Sequence, residues 1–279
     1  LDMVREAVRR PAFAGSFYPA DFDSLEQEIK TYIDNADPPV TPERVIGLIS
    51  PHAGYPYSGP AAAYGFKLVQ GKPYKRVVVF ALSHRVDFRG GAIFPGTAYE
   101  KPLGKVNLDT ELVDRLRSNP VITSKPMAHQ MEHSLEVQIP FLQYALDDFL
   151  LIPILIRDQS LSVCREIADA VLEALPDEAN EDTLIVGSTD LYHGPDYREC
   201  QDKDEKLAEL VKNFDEEALE QNFSSGSIMA CGPASIMTTM LVSKGLGAQK
   251  ADILHLTNST DVTGQRTDYV VGYLSAVFH

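Results

Sequence analysis

Cysteine is scarce in this 279-residue sequence, which contains only Cys164, Cys200 and Cys231. An odd and sparse set argues against a disulfide framework and favours the reducing cytoplasm as the location of the protein. Long apolar runs are also lacking, because none approaches the roughly 18 residues that a membrane-spanning helix needs. The basic stretch at residues 5–10 leads into Pro11 rather than into an apolar signal core. We therefore expect neither a targeting segment nor a membrane-bound protein.

Basic residues are also fewer than acidic residues. The chain has 25 lysines and arginines against 40 aspartates and glutamates, which gives a formal net charge of −15. An acidic surface repels phosphate backbones, so this balance argues against a general nucleic-acid binder. We expect a small molecule or a protein as the partner instead.

Several familiar catalytic signatures are missing. The sequence has no GxGxxG, no P-loop lysine motif, no GxSxG elbow and no CxxC pair. Their absence excludes the usual nucleotide-binding, hydrolase-elbow and zinc-ribbon interpretations. Any chemistry must come from a different arrangement of side chains.

Apolar runs alternate with helical patterns along the chain. The runs predict strands at about residues 44–49, 76–82, 149–156, 183–188, 251–257 and 268–277. The helical patterns comprise a capping box at Asp23-Ser24-Leu25-Glu26, segments 59–70, 109–118, 132–146 with a kink at Pro140, 160–175 and 202–221, and a helix opened by Pro233. Fully apolar strands joined by helices are typical of a sheet covered on both faces. We predict one α/β domain at residues 4–279, with three α/β/α layers and a mostly parallel central sheet.

Histidines follow three of the predicted strands. His52, His84 and His193 each come directly after an apolar run, and Asp190 precedes His193 by three residues. Because the carboxyl ends of parallel strands lie on one side of a sheet, we expect these side chains to share a ligand or a metal. A lone histidine is more often structural or solvated, so the alternative is that they do not converge. We interpret three further histidines as structural or exposed, namely His129, His255 and His279.

Two further side chains stand at predicted helix starts. His133 would feel the positive end of a helix dipole, which favours the neutral imidazole and suits substrate hydrogen bonding. The alternative is that Glu132 and Ser134 merely cap the helix while His133 is solvated. Cys231 precedes Gly232-Pro233, where the same field would stabilise a thiolate that binds a metal or attacks a substrate. Its alternative is a small core residue, which is how we interpret the other two cysteines.

These residues form a set with metal-binding character. Two imidazoles and one anionic ligand describe a facial site with open positions, as in non-haem iron(II) enzymes when the third ligand is a carboxylate. A thiolate in that place would raise the affinity for copper or zinc.

A series of short motifs extends from residue 14 to residue 232. They are Ala14-Gly15-Ser16-Phe17-Tyr18, Pro51-His52-Ala53-Gly54-Tyr55, Ser83-His84, Glu132-His133-Ser134-Leu135-Glu136 with Ile139-Pro140-Phe141, Ser188-Thr189-Asp190-Leu191-Tyr192-His193, and Cys231-Gly232. In this order they resemble the Memo family, and the chain is similar to its microbial-type members. That family is similar in fold to the class III extradiol ring-cleavage dioxygenases, which hold iron(II) with two histidines and a glutamate.

The resemblance implies a role for each matched residue. His52 and His84 look like the two metal histidines, and Cys231 takes the place of the third ligand. His193 falls where the dioxygenases keep their acid/base histidine, and Asp190 accompanies it as a ligand or an orienting carboxylate. A cysteine in place of the carboxylate argues against ordinary aromatic ring cleavage.

Four residues are candidates for substrate binding. Arg85 stands where animal relatives carry a histidine, and its fixed charge would favour an anionic substrate. His133, Tyr55 and Tyr192 complete the group. The expected substrate is a small anionic molecule or a peptide.

The resemblance leaves three functions open. The first is a metal-dependent oxidoreductase that uses iron(II), or else copper or zinc. Microbial members of the family are associated with a radical-SAM protein, which we expect as a functional partner. The second is a non-catalytic module that binds a peptide or a phosphopeptide, as reported for vertebrate members. The third is a hydrolase with Cys231 as nucleophile and His193 as base.

Overall fold

A computed structural model describes residues 7–279 of the chain. The strands are β1 (Val8–Arg9), β2 (Gly47–Ser50), β3 (Arg76–Leu82), β4 (Gly91–Ile93), β5 (Ala98–Lys101), β6 (Gly104–Asn107), β7 (Ile122–Ser124), β8 (Leu150–Ile156), β9 (Thr183–Ser188), β10 (His193–Gly194), β11 (Ala251–Asn258) and β12 (Val270–Phe278). The single-domain prediction for residues 4–279 stays a prediction, and its first three residues lie outside the described part.

Twelve helices connect these strands within residues 7–279. They are α1 (Phe22–Asn35), α2 (Tyr55–Val69), α3 (Thr110–Arg117), α4 (Pro126–Gln130), α5 (His133–Glu136), α6 (Gln138–Ala145), α7 (Leu161–Ala174), α8 (Ala179–Asp182), α9 (Tyr197–Lys212), α10 (Glu216–Ser225), α11 (Pro233–Gly245) and α12 (Ser259–Thr263). Over these residues, no helix combines the length and the apolar character needed to cross a membrane.

The main sheet confirms the α/β prediction and is mixed, not purely parallel. Its order is β10-β12-β2-β9-β3-β8-β4-β7, and β11 pairs with β12. The central strands β2, β9, β3 and β8 are parallel to one another. The closing strand β12 runs antiparallel to β2, β10 and β11, and β4 runs antiparallel to β8. A second, three-stranded sheet has the order β1-β5-β6.

Helices cover both faces of the main sheet. Successive residues of a strand face opposite sides. A Cβ atom built at Gly47 would meet Ser243 of α11, whereas Gly65 of α2 faces the next residue of the strand, Leu48. The three-layer arrangement follows from these two contacts.

Two helical predictions need correction. Helix α1 is capped by Asp21, which accepts a 2.9 Å hydrogen bond from the Ser24 N–H, because Asp21 and not Asp23 has the extended backbone of a cap. The segment at 132–146 divides into α5 and α6 at Val137. Pro140 lacks the N–H that would bond the Glu136 carbonyl in a continuous helix, and α5 ends at Glu136, so the interruption lies where a proline breaks a helix.

Helix α11 lies close to the sheet because its facing side chains are small. Ser235, Thr239 and Ser243 are four residues apart, so they share one face of the helix. They lie against Gly47 and Gly187 of the central strands. This close packing brings the start of α11, with the preceding Cys231, next to the end of β9.

We expect Gly47→Ala to lower the free energy of unfolding by about 1–3 kcal/mol, the usual cost of overpacking a core. The new Cβ would lie 2.3 Å from Ser243 Oγ. That hydroxyl is buried and has no hydrogen-bond partner in the described chain, so Ser243→Ala alone should be neutral or stabilising. The double variant should therefore recover most of the loss in urea unfolding. Equal instability of the single and double variants would contradict this explanation.

Candidate functional site

The carboxyl ends of the central strands place three imidazoles side by side. His52 follows β2, His84 follows β3, and His133 opens α5. Their ring centroids lie 5.4 Å apart for His52 and His84, 5.4 Å for His52 and His133, and 4.6 Å for His84 and His133. One nitrogen from each lies within 4.8 Å of the other two, so the group could hold a metal ion.

His52 is fixed at both ring nitrogens. Its Nδ1 lies 3.0 Å from Ser188 Oγ, and its Nε2 lies 3.1 Å from Cys231 Sγ. Its backbone N–H donates to Asp190 at 2.7 Å. Burial, followed by repulsion from His84, lowers the pKa of His52 to about 3. The imidazole is therefore neutral at physiological pH, which is the form that binds a metal.

His84 is held by Glu132. One carboxylate oxygen accepts the His84 backbone N–H at 2.7 Å, and the other lies 2.8 Å from Nδ1. Burial opposes ionisation of Glu132, but its hydrogen bonds to His84 outweigh burial and lower its pKa to about 2. An ionised carboxylate accepts a hydrogen bond from Nδ1–H, which keeps the proton on Nδ1 and leaves Nε2 free for a metal. From the sequence Glu132 was predicted only as a helix cap, and it does accept the Ser134 N–H at 2.9 Å.

We expect Glu132→Gln to weaken transition-metal binding about 10–100-fold, the usual effect of removing a group that orients a metal histidine. A neutral amide cannot stabilise the Nδ1–H form of His84 as a carboxylate does. Competition with a chromophoric chelator measures the affinity. Glu111→Gln is the matched control, because Glu111 is exposed and pairs with Arg115. Equal affinities of the two variants would contradict the assignment.

His133 is neutral for a different reason from the one predicted. Burial and then repulsion from His52 lower its pKa to about 4. The helix dipole is not the cause, since α5 has only four residues. The ring packs against Phe13 and Phe17, with centroid distances of 5.6 and 4.7 Å. The direction of the predicted shift is confirmed, and its cause is corrected.

Cys231 lies beside His52, but its thiol is not the predicted low-pKa group. Burial and the charge of Asp190 raise the pKa of Cys231 to about 12. The sulfur accepts the Asp190 N–H at 3.2 Å and lies 3.6 Å from Thr189 Oγ1. The expected stabilisation by a helix amino terminus is therefore wrong for the metal-free chain. Cys231 as third metal ligand stays a prediction.

Asp190 and His193 do not form the pair that the sequence suggested. The Asp190 carboxylate accepts the His52 backbone N–H, and burial raises its pKa to about 6. Nδ1 of His193 lies 3.0 Å from the Leu191 carbonyl, which holds that ring instead. Since a carbonyl only accepts, Nδ1 carries the proton and Nε2 is available to a substrate. The acid/base role of His193 stays a prediction.

The candidate substrate residues have varied surroundings. Tyr55 is buried and donates to the Val137 carbonyl at 2.6 Å, and Tyr192 is buried and donates to Glu199 at 3.0 Å. Both tyrosines therefore have a structural role already, while Arg85 is exposed. Their assignment to substrate stays a prediction.

The remaining histidines and cysteines have partners away from the site. His129 is buried, with Nδ1 2.5 Å from the Tyr99 hydroxyl and Nε2 2.9 Å from the Ala92 carbonyl, so its structural interpretation is confirmed. His255 stacks on Tyr64, and His279 pairs with Asp252. Cys164 and Cys200 are buried, as expected of core residues.

A buried carboxylate holds the segment that covers His133. Residues 9–18, which we call the N-terminal strap, include the two phenylalanines that pack on that ring. Glu136 pairs with Arg9 and accepts hydrogen bonds from the Phe13 N–H at 2.9 Å and the Tyr18 hydroxyl at 2.6 Å. Charge from Lys101 and Arg9, together with these bonds, outweighs burial and lowers the pKa of Glu136. The sequence analysis missed this role, because nothing local connects residues 9 and 136.

The site does not coincide with the surface concavity at the other end of the same strands. A cavity of about 900 Å³ lies beside Lys75, Arg76 and Leu150, at the amino ends of β3 and β8. It is open, and charges of both signs line it. The histidines lie at the carboxyl ends, where parallel strands usually carry function, so we locate the candidate site there.

Comparison with known proteins gives one consistent result. A family model described as Memo-like protein matches residues 9–277. The chain is 34% identical to a MEMO1 family protein of Nitrosopumilus maritimus over 272 residues, which cover 95% of this chain and 98% of that relative. It is 35% identical to a MEMO1 family protein of Ignicoccus hospitalis over 97% of this chain and 98% of the relative. A third MEMO1 family protein, from Thermotoga neapolitana, is 36% identical over 97% of this chain and 99% of the relative.

Proposed function

This chain belongs to the Memo family, and from that premise we propose that it is a metal-dependent oxidoreductase with a transition metal, iron(II) foremost, at His52 and His84. One observation carries the proposal. Both imidazoles have a partner at Nδ1, Ser188 for His52 and Glu132 for His84, while their rings lie 5.4 Å apart. Metal-binding histidines are held in this way, with Nδ1 anchored and Nε2 directed at the metal. Here Nε2 of His52 faces Cys231 Sγ, which is itself a candidate donor.

The remaining groups have roles suited to an anionic substrate. An iron(II) ion held by His52 and His84 would supply Lewis-acid and redox chemistry beside the substrate. The exposed guanidinium of Arg85 attracts the negative charge. His193 accepts or donates a proton at Nε2, and the strap confines the substrate beside His133.

Two side chains compete to be the third protein donor. His133 already has a ring nitrogen within 4.8 Å of those of His52 and His84. Cys231 Sγ lies 3.1 Å from His52 Nε2, and its pKa of about 12 applies to the metal-free thiol. A metal cation stabilises the thiolate strongly and would reverse that shift.

Metal analysis of anaerobically purified variants tests the centre and assigns the third donor. Wild type should contain close to one transition-metal ion per chain. Loss of the metal in Cys231→Ser but not in His133→Ala assigns the thiolate, and the opposite result assigns the third imidazole. Substoichiometric metal in wild type that metal addition does not restore would refute the proposal.

The contact between Cys231 and His52 favours one alternative, a thiol hydrolase. Here His52 and not His193 would be the base, because its Nε2 is 3.1 Å from the sulfur. Trapping of Cys231 by an ester analogue in chelator-treated protein would support this function. Absence of a covalent adduct under those conditions would exclude it.

The non-catalytic alternative shares the same groups. A phosphopeptide or peptide carboxylate could bind Arg85 and the neighbouring imidazoles without any reaction. Such binding should survive a chelator, whereas binding through the metal should not. The functional association with a radical-SAM protein stays a prediction, and co-purification with that partner from native extracts tests it.

A further inference from the structure

We propose that Ser188 is a positioning residue that fixes the tautomer of His52, with the proton on Nδ1 and the lone pair on Nε2. The inference deepens the proposed metal site and rests on it for its purpose. Its evidence is independent of any metal, because it comes from a count of protons and lone pairs around one hydroxyl oxygen.

The single proton of Ser188 is already committed. Its Oγ lies 2.6 Å from the carbonyl oxygen of Ser134. A carbonyl can only accept, so the hydroxyl must donate there. Both serines are fully buried, and this short contact leaves Ser188 Oγ with two lone pairs and nothing further to donate.

Gln138 takes one of those lone pairs. Its Nε2 lies 2.9 Å from the Pro51 carbonyl and 2.9 Å from Ser188 Oγ. The carbonyl of Pro51 requires a donor, which fixes the orientation of the amide. One amide hydrogen therefore points to Pro51 and the other to Ser188, which is nearer to the amide nitrogen than the Ser50 carbonyl at 3.4 Å.

Only a donor can occupy the remaining lone pair, and the group in that place is His52 Nδ1 at 3.0 Å. A neutral imidazole that donates from Nδ1 has its lone pair on Nε2. That nitrogen faces Cys231 and the neighbouring imidazoles, where a metal would bind. Ser188 thus does for His52 what Glu132 does for His84.

The two arrangements are physically connected. The Ser134 carbonyl accepts from Ser188, and the Ser134 N–H donates to Glu132 at 2.9 Å. One peptide segment therefore orients both imidazoles. The side-chain hydroxyl of Ser134 is not involved, because it donates to the Leu82 carbonyl at 2.6 Å. Ser243→Ala is the matched control, since it removes an equally buried hydroxyl that lies outside the site and has no hydrogen-bond partner in the described chain.

Nitrogen-15 NMR of metal-free protein labelled at histidine tests the proposal directly. His52 is assigned by the signals lost in His52→Gln. We expect a protonated-type shift for its Nδ1 and an unprotonated-type shift for its Nε2. The Nε2–H form in wild type would overturn the proposal, and this result does not depend on the folding of any Ser188 variant.

The variants extend the test to metal affinity. In Ser188→Ala a population with a protonated Nε2 should appear, and the affinity for the metal in a chelator competition should fall about 10–100-fold. Ser243→Ala should retain the Nδ1–H tautomer and the wild-type affinity. Retention of a pure Nδ1–H signal in folded Ser188→Ala would overturn the proposal. If wild type binds no metal while His52 is Nδ1-protonated, the proposed function fails and the assignment of Ser188 stands.

Discussion

Replacing His52 by alanine should reduce the metal content of the purified protein to background, the largest functional effect expected of a single substitution. His52 lies between the other two imidazoles and Cys231, so its loss removes a donor that no neighbour can replace. The affinity should fall by more than the about 10–100-fold typical of a supporting residue. Elemental analysis and chelator competition measure both quantities.

His255→Ala is the control for this substitution. His255 is a half-buried histidine that stacks on Tyr64 outside the site. The His255→Ala variant should bind metal with the same affinity as wild type. Equal metal content in the two variants, with both folded, would show that the ion is bound elsewhere or adventitiously.

Replacing Glu136 by glutamine should cause the largest loss of stability, about 3–5 kcal/mol in the free energy of unfolding. Glu136 and Arg9 form a buried ion pair, so removing the negative partner deprives the buried guanidinium of its carboxylate and leaves it the carbonyls of His129 and Glu132. The change also weakens hydrogen bonds from the strap at Phe13 and Tyr18. Urea unfolding followed by circular dichroism gives the difference.

Two further variants separate charge from packing. In Arg9→Met/Glu136→Leu both charges are absent, and buried pairs replaced in this way usually regain much of the stability. The double variant should therefore be more stable than Glu136→Gln. Lys30→Met removes an exposed pair with Asp34 and should cost at most about 1 kcal/mol. A Glu136→Gln variant as stable as Lys30→Met would refute the argument.

The strands were predictable because apolar runs of this length fit few structures other than a buried strand. Segment 183–188 matches β9 residue for residue, and 76–82 matches β3. Strand direction was not predictable, since an apolar pattern is the same whichever way a neighbour runs, so the antiparallel pairing of β12 with β2 was not foreseen. The hairpin of β5 and β6 was missed because its strands are short and polar. The available sequence signal for the hairpin turn was Pro102 and Gly104. In the structure Gly104 has a φ of +120°.

The site was predictable to the extent that topology determines it. His52 and His84 could be expected together from their places after parallel strands. The raised pKa of Cys231 could not be predicted, because desolvation depends on distant chain segments while the sequence showed only a nearby helix start. For the same reason Glu132 was recognised as a local cap, whereas its contact with His84 joins residues 48 positions apart.

The long sequence separations between contacting residues have a consequence for folding of the protein. His52 meets Ser188 across 136 positions and Cys231 across 179, while Glu136 meets Arg9 across 127. Each contact closes a long loop, and such contacts form late because the entropy of closure must be overcome before they add stability. Fragments that lack any one of these segments should therefore be unable to complete the centre. Uptake of a metal ion would accordingly report that the chain has been synthesised beyond Cys231 and that these segments have come together.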